Sequence, residues 1–123
     1  MTLLPFNSKI RPANFPHHFD AHIYFEAHQA DDINELRNKI LFELKHPDIF
    51  VGNIITAPIG PHPYPMLEVN FSKSVFSECL FFLMKERKKL TILVHSISEN
   101  DYLDHTVGAI WLGKSLELDL SKF

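Results

Sequence analysis

The chain has 123 residues, 46% of them hydrophobic and eleven of them Phe, with a formal net charge of −3. That is the size of one domain and enough to bury a core unaided by disulfides or structural metal. The single cysteine, Cys79, excludes an intrachain disulfide, and the scattered basic residues give no electrostatic footprint for nucleic acid.

No stretch reaches the roughly 18 apolar residues of a membrane span. With a lone thiol and no secretory leader in view, the expectation is a cytoplasmic protein with neither membrane nor nucleic acid as partner. The unusual feature is histidine. Eight are present, at positions 17, 18, 22, 28, 46, 62, 95 and 105, and they do not form one tract.

Residues 1–16 are aperiodic and contain proline, which reads as an extended arm ahead of a core over residues 17–120, the whole forming a single domain over residues 1–123. Residues 19–25 alternate, with Phe19, Ala21, Ile23 and Phe25 on one side and Asp20, His22 and Tyr24 on the other, as in a half-buried strand. Asp32 and Glu35 have the spacing of a capping box. Ile33, Leu36, Ile40 and Leu44 follow at helical spacing, and Pro47 stops the helix. Residues 50–56 form a second predicted strand, and the turn-rich stretch 57–65 carries four prolines.

Alternation returns over residues 66–71, with Leu67, Val69 and Phe71 opposite Met66, Glu68 and Asn70. Ser72 caps a helix with the stripe Val75, Phe76, Cys79, Leu80 and Leu83, and the basic residues 85–89 suit its C-terminus. Residues 90–95 form a fourth strand, with Leu90, Ile92 and Val94 opposite Thr91, Leu93 and His95. Residues 107–118 add one or two short strands around Trp111. The order is that of a ferredoxin-like α+β fold, βαββαβ, with both helices on one face of an antiparallel sheet and extra C-terminal strands.

If the helices cover the apolar face, His22, Tyr24, Glu68 and His95 share the other. The fourth strand runs against the first, which brings His95 near His22. Taking the third strand as parallel to the first puts His62 at the same end. Imidazoles and a carboxylate converging with open positions suit a divalent metal. Two His with one carboxylate fit non-haem Fe(II), and three His fit zinc with a water or iron with a neutral ligand set. His22 and His95 are the leading ligands, and His62 and Glu68 compete for the third position.

Glu68 can alternatively fix a ligand imidazole from outside. His105 reads either as a turn residue or as a general acid/base, a role His62 could also take. Tyr24 and Trp111 can line an aromatic pocket or pack in a core. Arg87 and Arg37, on helices, read as solvated or as forks for a substrate carboxylate. His17, His18, His28 and His46 read as solvated, and Cys79 on a helix stripe is an unsuitable ligand.

The strings Asp20-Ala-His22-Ile-Tyr24-Phe25, Gly60-Pro-His62-Pro63 with Glu68 six residues after its His, Leu93-Val-His95, and Asp104-His105-Thr106 with Trp111-Leu-Gly113 resemble the dopa dioxygenase family from about residue 19 to 120. The resemblance implies extradiol cleavage of a catechol with O2 and ferrous iron as the metal. It places His22, His62, Glu68, His95 and His105 at motif positions without saying which of them touch the metal. Ser96 departs from the family, where a proline often follows the motif histidine.

Two other functions fit the same residues: a zinc hydrolase or isomerase, and a dimeric ferredoxin-like domain that binds a small ligand without chemistry. A homodimer is expected on either view. Met66 and Leu93 lie on the open face, and one layer of helices leaves them for the tail or a second subunit to shield.

Overall fold

The computed structural model describes residues 10–123, so the first nine residues of the expected arm lie outside the described residues. The elements are β1 (Phe19–Tyr24), α1 (Ala30–Glu43), β2 (Ile49–Ile55), β3 (Met66–Phe71), α2 (Phe76–Glu86), β4 (Thr91–Ser96), the short α3 (Asp101–Asp104) and β5 (Ala109–Leu112). The strands form one sheet in the order β2-β3-β1-β4-β5, and every neighbouring pair is antiparallel. This is the ferredoxin-like arrangement with one added strand. No helix among the described residues is long and apolar enough to cross a membrane.

The antiparallel pairing of β1 with β3 corrects one expectation. A β1-α1-β2 crossover leaves a gap between two parallel strands, and β3 returns from β2 to fill it, so it must oppose both. His62 therefore precedes β3 at the Tyr24 end of β1, since Tyr24 pairs with Met66.

Strand parity sorts the side chains as the alternation predicts. Ala21, Ile23, Leu67, Val69, Phe71, Ile92 and Val94 pack with Ile33, Leu36, Ile40, Val75, Cys79 and Leu83 from both helices. The helix layer thus lies on one face. Residues Val51 and Ile54 both reach this core because a bulge between them inserts one residue into β2. Arg37 closes the bulge by donating from Nε to the Gly52 carbonyl at 3.0 Å.

The first helix begins earlier than the Asp32–Glu35 spacing predicts. A 3₁₀ turn at Ala27–Gln29 leads into it, and Gln29 Oε1 accepts the Glu26 N–H at 2.9 Å. Asp32 and Glu35 instead meet Lys88, whose Nζ lies 2.6 Å from Glu35 Oε1. At the second helix, Ser72 acts as predicted, its hydroxyl accepting the Ser74 N–H.

The other face of the sheet carries a second cluster. Tyr24, Met66 and Leu93 are buried there under Trp111, Leu116 and Leu118. The chain's own tail thus does the shielding. Gly113, at φ +91°, turns β5 into that tail, and a Cβ there would sit 2.8 Å from Arg87 Nη1. Asp119 N–H donates to the Pro61 carbonyl at 2.9 Å, which ties the tail to the loop carrying His62.

On the opposite flank the described part of the arm is packed. Phe15 contacts Phe50 edge-on, and Arg11 donates to Asn70 at 2.5 Å. Arm and tail leave the middle of the face between them.

Candidate metal centre

The strand registers set a grid on this face. Asn70, Asp20, His95 and Ala109 form one row across β3, β1, β4 and β5. Glu68, His22, Leu93 and Trp111 form the next. His22 and His95 are therefore diagonal neighbours, each 3% exposed, with Nε2 atoms 3.0 Å apart. Asp20 Oδ2 lies 3.9 Å from His22 Nε2 and 3.7 Å from His95 Nε2.

Two further imidazoles arrive from loops. The 57–65 segment folds back over the sheet and brings the His62 ring centroid within 4.1 Å of His22. His62 thus joins the cluster although β3 runs opposite to the expectation. Hydrogen bonding of Asp104 to Ser96 Oγ (3.0 Å) and the Ser98 N–H (2.7 Å) folds the α3 turn against β4. His105 follows, its ring 4.0 Å from that of His95. Ser96 thus helps to seat His105. Burial alone would raise the Asp104 carboxyl, but these bonds outweigh it and hold it below its usual range.

Each imidazole has a partner for its outer nitrogen. A carbonyl only accepts, so Nδ1–H of His95 donates to Ser96 O (2.8 Å) and Nδ1–H of His105 to Asp101 O (2.7 Å). His22 Nδ1 faces Met66 Sδ at 3.2 Å and Glu68 Oε1 at 3.9 Å. His62 Nδ1 is 2.7 Å from the Tyr24 hydroxyl. Metal-binding histidines are oriented in this way, with one nitrogen fixed from behind and the other presented.

Burial, and then the neighbouring imidazoles, push His22 well below its ordinary value. Burial also lowers His95, and burial followed by His105 lowers His62 to about 4. These rings are neutral near pH 7, with lone pairs rather than charges to offer. Two ligand sets result: Asp20, His22 and His95, and His22, His62 and His105, each with donor atoms within 4.8 Å of one another. Two nitrogens about 2.1 Å from one ion and at right angles would be about 3 Å apart, which matches the His22–His95 separation. The donor set fits a divalent metal.

Glu68 lies behind the His22 ring and is in neither set. Its carboxyl is raised by burial, then by Asp20, and Oε2 accepts from Asn70 Nδ2 at 2.9 Å. Asp20 is the ligand candidate that sequence reasoning overlooked, although its parity with His22 and Tyr24 was the available signal. Asn70 donates to Asp20 Oδ1 at 2.5 Å, and His17 bonds the same oxygen, so His17 is not merely solvated.

Tyr24 and Trp111 lie beside the cluster, their rings stacked with centroids 6.2 Å apart. Burial raises the Tyr24 phenol above its ordinary value. Arg87 is elsewhere. Its Nη1 donates to the Leu90 carbonyl at 2.8 Å, closing the turn from α2 into β4 at the opposite end of the strand from His95. Cys79 is buried in the helix-face core, which pushes its thiol up to about 12.

A profile of the Dopa 4,5-dioxygenase family matches residues 19–122. Similar proteins include an uncharacterized 21.2 kDa protein of Botryotinia fuckeliana, 38% identical over 95% of this chain and 66% of its own length. DOPA 4,5-dioxygenase of Amanita muscaria is 32% identical over 81% of this chain and 46% of its own length. The chain thus spans just under two thirds and about half of these two relatives. The crystal structure of a "putative dioxygenase" of Nostoc punctiforme is also similar, with a TM-score of 0.78 and 31% identity over 92% of this chain and 96% of that one. With the match running from the first strand to the end of the tail, the chain belongs to the Dopa 4,5-dioxygenase family.

Proposed function

We propose that the chain is a non-haem Fe(II) extradiol dioxygenase that opens the ring of a catechol with O2. The observation that carries this reading is the convergence of His22 Nε2, His95 Nε2 and Asp20 Oδ2 within 3.9 Å of one another. Two His and one carboxylate are the donor set that leaves positions open on Fe(II). These three would hold the ion, with Met66 Sδ and, farther off, Glu68 behind the His22 ring and the Ser96 carbonyl behind the His95 ring. When bound, ferrous iron supplies adjacent positions for the catechol oxygens and dioxygen and a path for electrons between them.

The chain's own groups then handle orientation and protons. His62 or His105, neither of them in the Asp20 set, would accept a proton from the catechol and return one to the opened product. Tyr24 fixes the His62 ring through its hydroxyl. Trp111 offers an aromatic wall for the substrate ring, and the tail over Tyr24 and Leu93 limits water. Both oxygen atoms end in the product, a semialdehyde cleaved beside the former diol.

The three-imidazole set of His22, His62 and His105 favours a second reading, zinc with a bound water acting as a hydrolase or isomerase. One experiment separates the two. Protein stripped of metal is loaded with Fe(II) or Zn(II) without air, then given simple catechols and oxygen. The proposal expects oxygen uptake and a yellow product with Fe(II) alone. No uptake with any catechol would reject it.

A further inference from the structure

A cavity of about 280 Å³ adjoins the imidazole cluster on its β5 side. His105 forms the wall shared with the cluster. Trp111, Leu116, Leu118 and Leu120 supply apolar surface, and Glu117 is the one charged side chain in the lining. Glu117 has no hydrogen-bond or ion-pair partner among the described residues.

No arginine or lysine lines this cavity; Lys89 lines the neighbouring pocket, which shares Leu116 with it. Arg11 lies across the cluster on Asn70, Arg37 is bonded to Gly52, and Arg87 to Leu90. Lys114 and Lys122 flank this stretch of the tail without lining the cavity.

From this distribution we infer that the cavity receives the tail of the catechol, and that it selects a cationic tail, an amine, over an anionic one. The volume suits a small ring substituent bearing a few atoms. An ammonium group there would approach Glu117 over an apolar wall, with the Trp111 ring face in reach. A carboxylate would meet Glu117 as a like charge with no guanidinium or ammonium to receive it. This deepens the dioxygenase reading and rests on it for the catechol; the cavity's preference for charge does not depend on turnover.

Trp111 is the chain's one tryptophan, so its fluorescence reports occupancy directly. Full-length metal-free protein is titrated with tyramine and with 4-hydroxyphenylacetate, which lack the diol and differ in the charge of the tail. The anaerobic Fe(II)-loaded protein is titrated with dopamine and with 3,4-dihydroxyphenylacetate. The amine of each pair should bind severalfold more tightly, as expected for a charge contact with an exposed carboxylate. Glu117→Gln should bring each ratio close to one.

Equal affinities, preference for the acid, no change in Trp111 emission, or a ratio that survives Glu117→Gln would each overturn the inference. Selective quenching by tyramine in a protein that cleaves no catechol would instead keep the cavity assignment and remove the dioxygenase reading.

Discussion

His22 and His95 stand on adjacent antiparallel strands one row apart, yet their Nε2 atoms are 3.0 Å from each other. With His95 protonated on Nδ1, the contact is one N–H···N hydrogen bond from His22, and a divalent ion can take that proton's place between the two rings, with Met66 and Glu68 behind His22 and the Ser96 carbonyl behind His95. Replacing either histidine by Ala should therefore lower divalent-metal affinity by more than the roughly 10- to 100-fold typical of losing an outer partner. Calorimetric titration of the stripped protein with Zn(II) measures this. Unchanged affinity in both variants would exclude them as ligands.

Asp20 and Glu68 should separate in the same assay. Asp20→Asn keeps the volume and an acceptor for Asn70 but removes the carboxylate that faces both Nε2 atoms. We expect a larger loss of metal affinity than for Glu68→Gln, whose carboxylate lies behind the ring and should cost about tenfold. The reverse order would make Glu68 the ligand.

Stability should depend on pH in a defined window. The unfolded chain protonates its histidines near pH 6.5. Folded His22, His62 and His95 resist protonation because of burial, His62 until about pH 4. Between those limits the unfolded state binds more protons, so stability should fall as pH is lowered from about 6.5 toward 4. Glu68, held above its usual range, acts in the opposite sense but is one group against three. Thermal melts of the stripped protein between pH 7 and 5 check this, and a Tm that does not fall across that range contradicts it.

Tyr24→Phe should lower stability by about 1–3 kcal/mol, because His62 Nδ1 is buried and its hydroxyl partner would be lost. The same variant should raise metal affinity or leave it unchanged under the Asp20–His22–His95 assignment. It should weaken affinity if His62 is a ligand positioned by that hydroxyl. Denaturant melts and metal titration of one preparation read both.

Period-two alternation was enough to place His22, Tyr24, Glu68 and His95 on one face, because one strand face is committed to the helices and the other follows. Topology was less legible. The sense of β3 follows from the hairpin after β2, a relation between elements that no local pattern displays. His62 reached the cluster through a loop folded back over the sheet, and Pro and Gly signal a turn without giving its direction. Asp20 shared the right parity, but an aspartate near a strand end resembles any solvated residue until Asn70, His17 and the imidazoles surround it. Arg87 lay on a helix end where its nearest acceptor, the Leu90 carbonyl, captured it.

A crystal structure of the Fe(II)-soaked protein, with anomalous data collected on both sides of the iron edge, would locate the ion and its ligands. One iron peak is expected about 2.0–2.2 Å from His22 Nε2 and His95 Nε2, with Asp20 as the carboxylate ligand. An iron peak away from these atoms, or none in protein shown to contain iron, would contradict this assignment.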